Sequence, residues 1–189
     1  MNALLRAHRI LFTPSATWRE IEAESEDSLL LFKQYVCILA LIPAVAGFIG
    51  LSLVGVGAFG VTFRVPILAG IGHMITSYVM SLVMVYVLAF IVDAMAMTFD
   101  GKKDFGKAFK LSAYASTAGF LGGIFGIWPA LAPLGVIPAL YGIYLIYVGL
   151  PILMRTDKDN AVAYTAVVSV CGFVGLCVFS GVLSLFIAR

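Results

Sequence analysis

Charge is what this 189-residue chain has least of. Asp, Glu, Lys and Arg make up 12% of it, about half the share of an ordinary soluble domain. Four stretches, 34–63, 65–92, 111–154 and 161–188, hold none of the four. A soluble domain of this size keeps a large share of its residues against water, and one small core could not hide so much apolar chain. A run of about 20 apolar residues is also the length that crosses a hydrocarbon layer of about 30 Å. The missing charge therefore excludes a soluble globular protein and predicts an integral membrane protein.

Other scarcities narrow the chemistry. The only histidines are His8 and His73, and they are expected on opposite sides of the membrane. No Gly-x-Ser-x-Gly, His-Glu-x-x-His or phosphate loop is present, so neither a nucleophile with its base nor a zinc ligand set is expected. No enzyme activity, metal or cofactor is predicted. Cys37, Cys171 and Cys177 follow no zinc or disulfide spacing and read as small hydrophobes. A net charge of +2 is too small for a nucleic-acid footprint. Arg6, His8 and Arg9 follow closely on Leu4 and Leu5, so no apolar run of signal-peptide length forms.

What is present divides into helices. The fold class expected is an all-α polytopic membrane helix bundle. It has five transmembrane helices and an N-terminal interfacial helical segment. Residues 1–34 form that segment and 35–189 the membrane domain, with spans near 35–58, 66–92, 111–128, 134–153 and 161–187. Pro43 is tolerated inside the first span. Gly55, Gly57, Gly60 and Arg64 interrupt the chain before the second. The 44-residue run 111–154 breaks at Trp128-Pro129-Ala130-Leu131-Ala132-Pro133, a tight-turn signal at the depth tryptophan prefers.

Basic residues set the orientation. With a cytoplasmic N-terminus, ten lie inside (Arg6, Arg9, Arg19, Lys33, Lys102, Lys103, Lys107, Lys110, Arg155, Lys158) and Arg64 and Arg189 lie outside. The positive-inside rule selects this arrangement, with the C-terminus on the far side.

The first 34 residues carry two helix-start signals, Thr13 before Pro14 and the capping-box pair Thr17/Glu20. Leu4, Leu5, Ile10, Leu11 and Phe12 would lie apolar side down in the interface plane. The acidic run Glu20, Glu22, Glu24, Glu26 and Asp27 reads as a solvated side or as a partner-docking surface.

Within the spans, His73, Ser77 and Ser81 recur at i, i+4 and i+8 on one helix face. They would line a proton or substrate path or bond helix to helix. Asp93 ends the second span with no basic residue within a turn, and Lys110, at similar depth, is its candidate partner. Gly119/Gly123 and Gly122/Gly126 are small-x-x-x-small pairs and predict close helix packing, against this chain or a second copy. Tyr141, Tyr144 and Tyr147 make a slanted stripe that lines a polar cleft or belongs to the core.

The fourth span, Tyr141-x-x-Tyr144-Leu145-x-Tyr147-x-Gly149-Leu150-Pro151-x-Leu153-Met154, resembles that of bacterial Yip1-domain proteins. Four more places agree: Pro14-x-x-Thr17-Trp18-x-x-Ile21, Ile42-Pro43-x-x-x-Gly47-Phe48-Ile49-Gly50, the segment 105–114 with Ala108, Lys110 and Ala113-Tyr114, and Lys158-x-x-Ala161-x-Ala163-Tyr164. The resemblance implies a five-helix domain of the bacterial inner membrane with a cytoplasmic N-terminus, and adds Tyr114 to the candidate binding residues. Eukaryotic relatives associate with prenylated small GTPases. This chain lacks their Asp-Leu-Tyr-Gly-Pro motif and long cytosolic region, so small-GTPase binding is not carried over.

Two functions follow. The first is a non-catalytic scaffold or organiser that binds lipid or protein partners, itself included through the Gly119/Gly123 face. The second is a small transporter or channel using His73, Ser77, Ser81 and Asp93.

Overall fold

The computed structural model describes residues 3–25, 27–58 and 61–187. Expectations attached to Glu26, Gly60 and Arg189 lie outside the described residues. Two short helices come first, α1 (Ala3–Phe12) and α2 (Pro14–Ala23). Pro14 stands in the first turn of α2, where its missing N–H costs nothing. The first apolar stretch is one continuous helix, Ser28–Val54. In it α3 (Ser28–Leu31) and α4 (Cys37–Phe48) alternate with wider π turns at Phe32–Val36 and Ile49–Val54. The Asp27 carboxylate caps its start by accepting from Leu29 N.

Gly55 takes φ +87°, a conformation open to a residue without Cβ, and turns the chain into a short antiparallel hairpin. Its strands are β1 (Val56–Ala58) and β2 (Val61–Phe63), with Val56 opposite Phe63. Then follow α5 (Ile67–Met95), α6 (Phe105–Gly122), α7 (Val136–Leu153) and α8 (Lys158–Ile187). A 3-10 turn at Ala96–Phe99 extends α5. The expected tight turn around Trp128 is instead two 3-10 segments, Gly123–Ile127 and Pro129–Gly135.

Four helical stretches are long and apolar enough to cross a membrane: Ser28–Val54, Ile67–Phe99, Pro129–Leu153 and Lys158–Gly181. Five spans were expected; among the described residues α6, the third, does not qualify. The reason is what surrounds it. Of its 18 residues, 12 are buried, and it lies in the middle of the bundle against α4, α5 and α7. A helix solvated by other helices does not need lipid-grade hydropathy. It carries Lys107, Lys110, Ser112, Ser116 and Thr117, and Tyr35 shares a hydrogen bond of 2.7 Å with Thr117.

The small residues at the end of α6 let neighbours close in. A Cβ on Gly122 would overlap the ring of Pro138, and one on Gly123 would stand 2.5 Å from Cβ of Pro43. Around Gly119 nothing lies within 4 Å. The expected Gly119/Gly123 face is therefore split: Gly123 packs within the chain and Gly119 opens outward.

The bundle has two unlike ends. At one, which we call the polar end, the α5–α6 and α7–α8 connections meet. Lys102 N donates to Met154 O at 2.7 Å, and Asn160 Nδ2 to Asp100 Oδ2 at 2.8 Å. The other end holds the β hairpin, the glycine-rich exit of α6 and the 3-10 segments.

Candidate functional site

The ionisable side chains converge where α1 and α2 pack against α6 and α7 at the polar end. Apolar contact places α2 there. Trp18 and Ile21, three apart on one helix face, are fully buried. The Trp18 ring lies on Gly149 and beside Leu111, leaving no room for a Cβ on Gly149. It meets Tyr114 edge-on at 6.2 Å between centroids. Of the residues expected to lie on lipid, Ile10 is covered by protein while Leu4, Leu5 and Phe12 are exposed; Ala7, Trp18 and Ile21 are covered as well.

That packing buries charge, which must be paired to be tolerated. Arg6 is 1% exposed. Its guanidinium bonds Glu24, lies 3.6 Å from Glu20 and stands over the Tyr114 ring at 5.9 Å. Arg9 bonds the other oxygen of Glu20. Glu22 receives Arg155 at 3.5 Å and Lys107 at 3.7 Å. Lys110 Nζ donates to the Glu24 carbonyl at 2.6 Å. Glu20, Glu22 and Glu24, each still partly exposed, thus tie α2 to α1, α6 and the α7–α8 connection. Asp93 is 8% exposed, and its cation is Lys103 at 3.9 Å, not Lys110.

The remaining residues singled out from sequence do not gather. His73 and Asp93 stand twenty residues apart on α5, about 30 Å along the helix. His73 and Ser77 are half-buried, and Ser81 donates to Tyr78 O on its own helix at 2.7 Å. Tyr114 is deep in the core between Trp18 and Tyr35. The tyrosine stripe divides. Tyr141 donates to the Leu11 carbonyl, while Tyr144 and Tyr147 face outward. Among the described residues no three His, Cys, Asp or Glu side chains are placed to hold a metal ion.

Sequence reasoning missed the Arg6–Glu20–Glu24 cluster and the seat of Trp18 on Gly149. The spacing of Arg6 and Arg9 on one helix face was the signal for the first. Nothing local signalled the second, whose partners lie more than a hundred residues apart.

Long apolar helices with paired charges collected at one end define a polytopic membrane helix bundle. Residues 9–179 match the Yip1 domain family, and the chain belongs to that family, as the motifs in its spans suggested. Inner membrane protein YohC of Escherichia coli strain K12 is 22% identical over 157 residues, covering 81% of this chain and 80% of the relative. The protein of the same name from Escherichia coli O6:H1 shows the same identity and coverage. No solved structure matches this chain.

Proposed function

We propose that this Yip1-domain protein is a non-catalytic scaffold or organiser of the bacterial inner membrane, with lipid and membrane-protein partners. One observation carries the reading. Arg6, Arg9, Glu20, Glu22, Glu24, Lys107, Lys110 and Arg155 are engaged with one another at one end of the bundle. A transporter holds its ionisable groups or broken helices near the midplane, whereas here the charges fasten an N-terminal pair of helices to the bundle.

The chain passes the membrane five times, its N-terminus in the cytoplasm and its C-terminus outside. Supporting this, α6 reaches from Glu22, beside Lys107, to Pro43 and Pro138 at the opposite end. It thus covers the length of α7, one of the four apolar stretches. At 1.5 Å per residue its 18 residues rise about 27 Å. The inner-membrane assignment is in line with the name of the 22%-identical YohC relative.

Reconstituted liposomes test the scaffold reading. The protein should add no ion or small-solute flux over empty vesicles, and flux abolished by His73→Ala would refute the proposal. A photo-crosslinker at Arg19 in living cells should yield a discrete adduct with a membrane protein. Paired reporter fusions at the two termini should report opposite compartments; the same compartment would mean an even number of passes.

A further inference from the structure

We infer that Arg64 binds the phosphodiester of a phospholipid in the leaflet at the hairpin end of the bundle, its Nη1 and Nη2 groups donating to the phosphate oxygens.

The side chain is held in place by the first span. Just beyond β2, Val65 N donates to Leu51 O at 3.1 Å and ties the chain back to that helix. The Arg64 stem lies on Gly55, where a Cβ would stand 2.7 Å from its Cγ. Its Nε donates at 3.4 Å to the carbonyl of Val54, the last residue of the span. Carbonyls at a helix C-terminus carry partial negative charge and attract a cation. These contacts engage one edge of the guanidinium. They leave the Nη pair, the planar fork that matches phosphate oxygens.

No carboxylate of the bundle answers this charge. Among the described residues every Asp and Glu side chain lies at the polar end, and Arg64, exposed at the other, forms no ion pair. Its counter-charge has to come from outside the chain.

The level of Arg64 identifies the source. Lys33 and Gln34 are exposed, and Val54 lies 21 residues beyond Lys33. That is about 30 Å of helix, one thickness of hydrocarbon. Between them the exposed side chains of the span are Ile38, Leu41, Val45 and Leu53, all apolar. On the other side of Arg64 the second span opens with Ile67 and with Leu68, 84% exposed, and its next exposed side chains are Ile71 and Ile75. Trp128 is exposed at the same rim, one residue past Ile127, whose carbonyl adjoins Gly50, and tryptophan favours the membrane–water interface. Arg64 thus stands where acyl chains give way to phosphates. The exposed Phe63 and Leu68 near it in sequence suit the acyl chain of the same lipid.

The inference rests on the scaffold reading only for its choice of lipid as a partner. Flux through liposomes would refute that reading and leave the Arg64 contact standing.

Solid-state NMR tests it on the native full-length chain, in phosphatidylethanolamine/phosphatidylglycerol liposomes and phosphate-free buffer, where lipid is the sole source of phosphorus. The pair Phe-Arg occurs once in the sequence, so isotope labelling of phenylalanine and arginine identifies the Arg64 signals without a substitution. The pair Leu-Arg, also present once, identifies Arg6, whose buried guanidinium is held by Glu20 and Glu24. Dipolar coupling to phosphorus-31 should attenuate Arg64 Cζ severalfold more than Arg6 Cζ. Equal attenuation would overturn the inference. In liposomes of a phosphorus-free galactolipid, with inorganic phosphate in the buffer, the attenuation at Arg64 should be lost. Its persistence there would show that a free anion suffices and would overturn the assignment to lipid.

Discussion

Trp18 rests directly on the backbone of Gly149, so that the N-terminal segment and α7 meet where one of them has no side chain. A Cβ on Gly149 would collide with Leu111 Cδ1 and stand 2.8 Å from Trp18 Cε2. Overpacking of this kind costs about 1–3 kcal/mol. Gly149→Ala should therefore lower the melting temperature in detergent and move Trp18 emission to longer wavelength, read in a Trp128→Phe background. Trp18→Ala removes the whole ring and should cost about 3–5 kcal/mol.

Arg6 and its two carboxylates make a sharper case. Removing one member of a buried pair leaves an uncompensated charge, at about 3–5 kcal/mol, while replacing all members with neutral groups of similar volume is often tolerated. Glu20→Gln/Glu24→Gln, which strands the buried Arg6 guanidinium, should strongly destabilise the fold. The triple variant Arg6→Met/Glu20→Gln/Glu24→Gln should melt well above it. A triple variant no better than the double would show that the charges themselves are required.

Glycines on α6 should divide by their surroundings. Valine at Gly123 meets Pro43, and valine at Gly122 meets Pro138, so both should reduce the yield of folded monodisperse protein and lower its melting temperature. Gly119→Val enters open space and should leave the melting temperature unchanged. Size-exclusion chromatography with light scattering of the same variant shows whether a second copy packs there: loss of a dimer at unchanged stability is the signature.

Asp93 is expected to be replaceable. Among the described residues its one ion-pair distance is 3.9 Å, and Oδ1 is buried without a hydrogen-bond partner. A buried carboxylate so poorly compensated adds little stability. Asp93→Asn should melt within a few degrees of the native chain or slightly above it; a large loss of stability would contradict this account.

The long apolar helices were legible because lipid imposes a rule that composition alone reveals: charge cannot interrupt a crossing. The boundaries expected near 58, 66, 92, 153 and 161 fall close to those observed at 54, 67, 95, 153 and 158 for that reason. The same rule says less about α6. A run free of charge from Leu111 reads as a crossing, yet its hydropathy is diluted by Ser112, Ser116, Thr117 and four glycines. That is affordable only for a helix covered by its neighbours, and cover by neighbours cannot be read from one segment. The seating of α1 and α2 was illegible for a related reason. Leu4, Leu5 and Phe12 look like the interfacial face of a peripheral helix, but Arg6, Ala7 and Ile10 on the opposite side are equally engaged. The β hairpin escaped notice because strands of three residues beside glycines carry no periodic signal.

At the polar end, the hydrogen bonds from Lys102 to Met154 and from Asn160 to Asp100 buckle the two connections together. Helices α5 to α8 are thereby hooped at one rim, like staves held by a single band. A pull on either connection is therefore shared with the other before it reaches the helices.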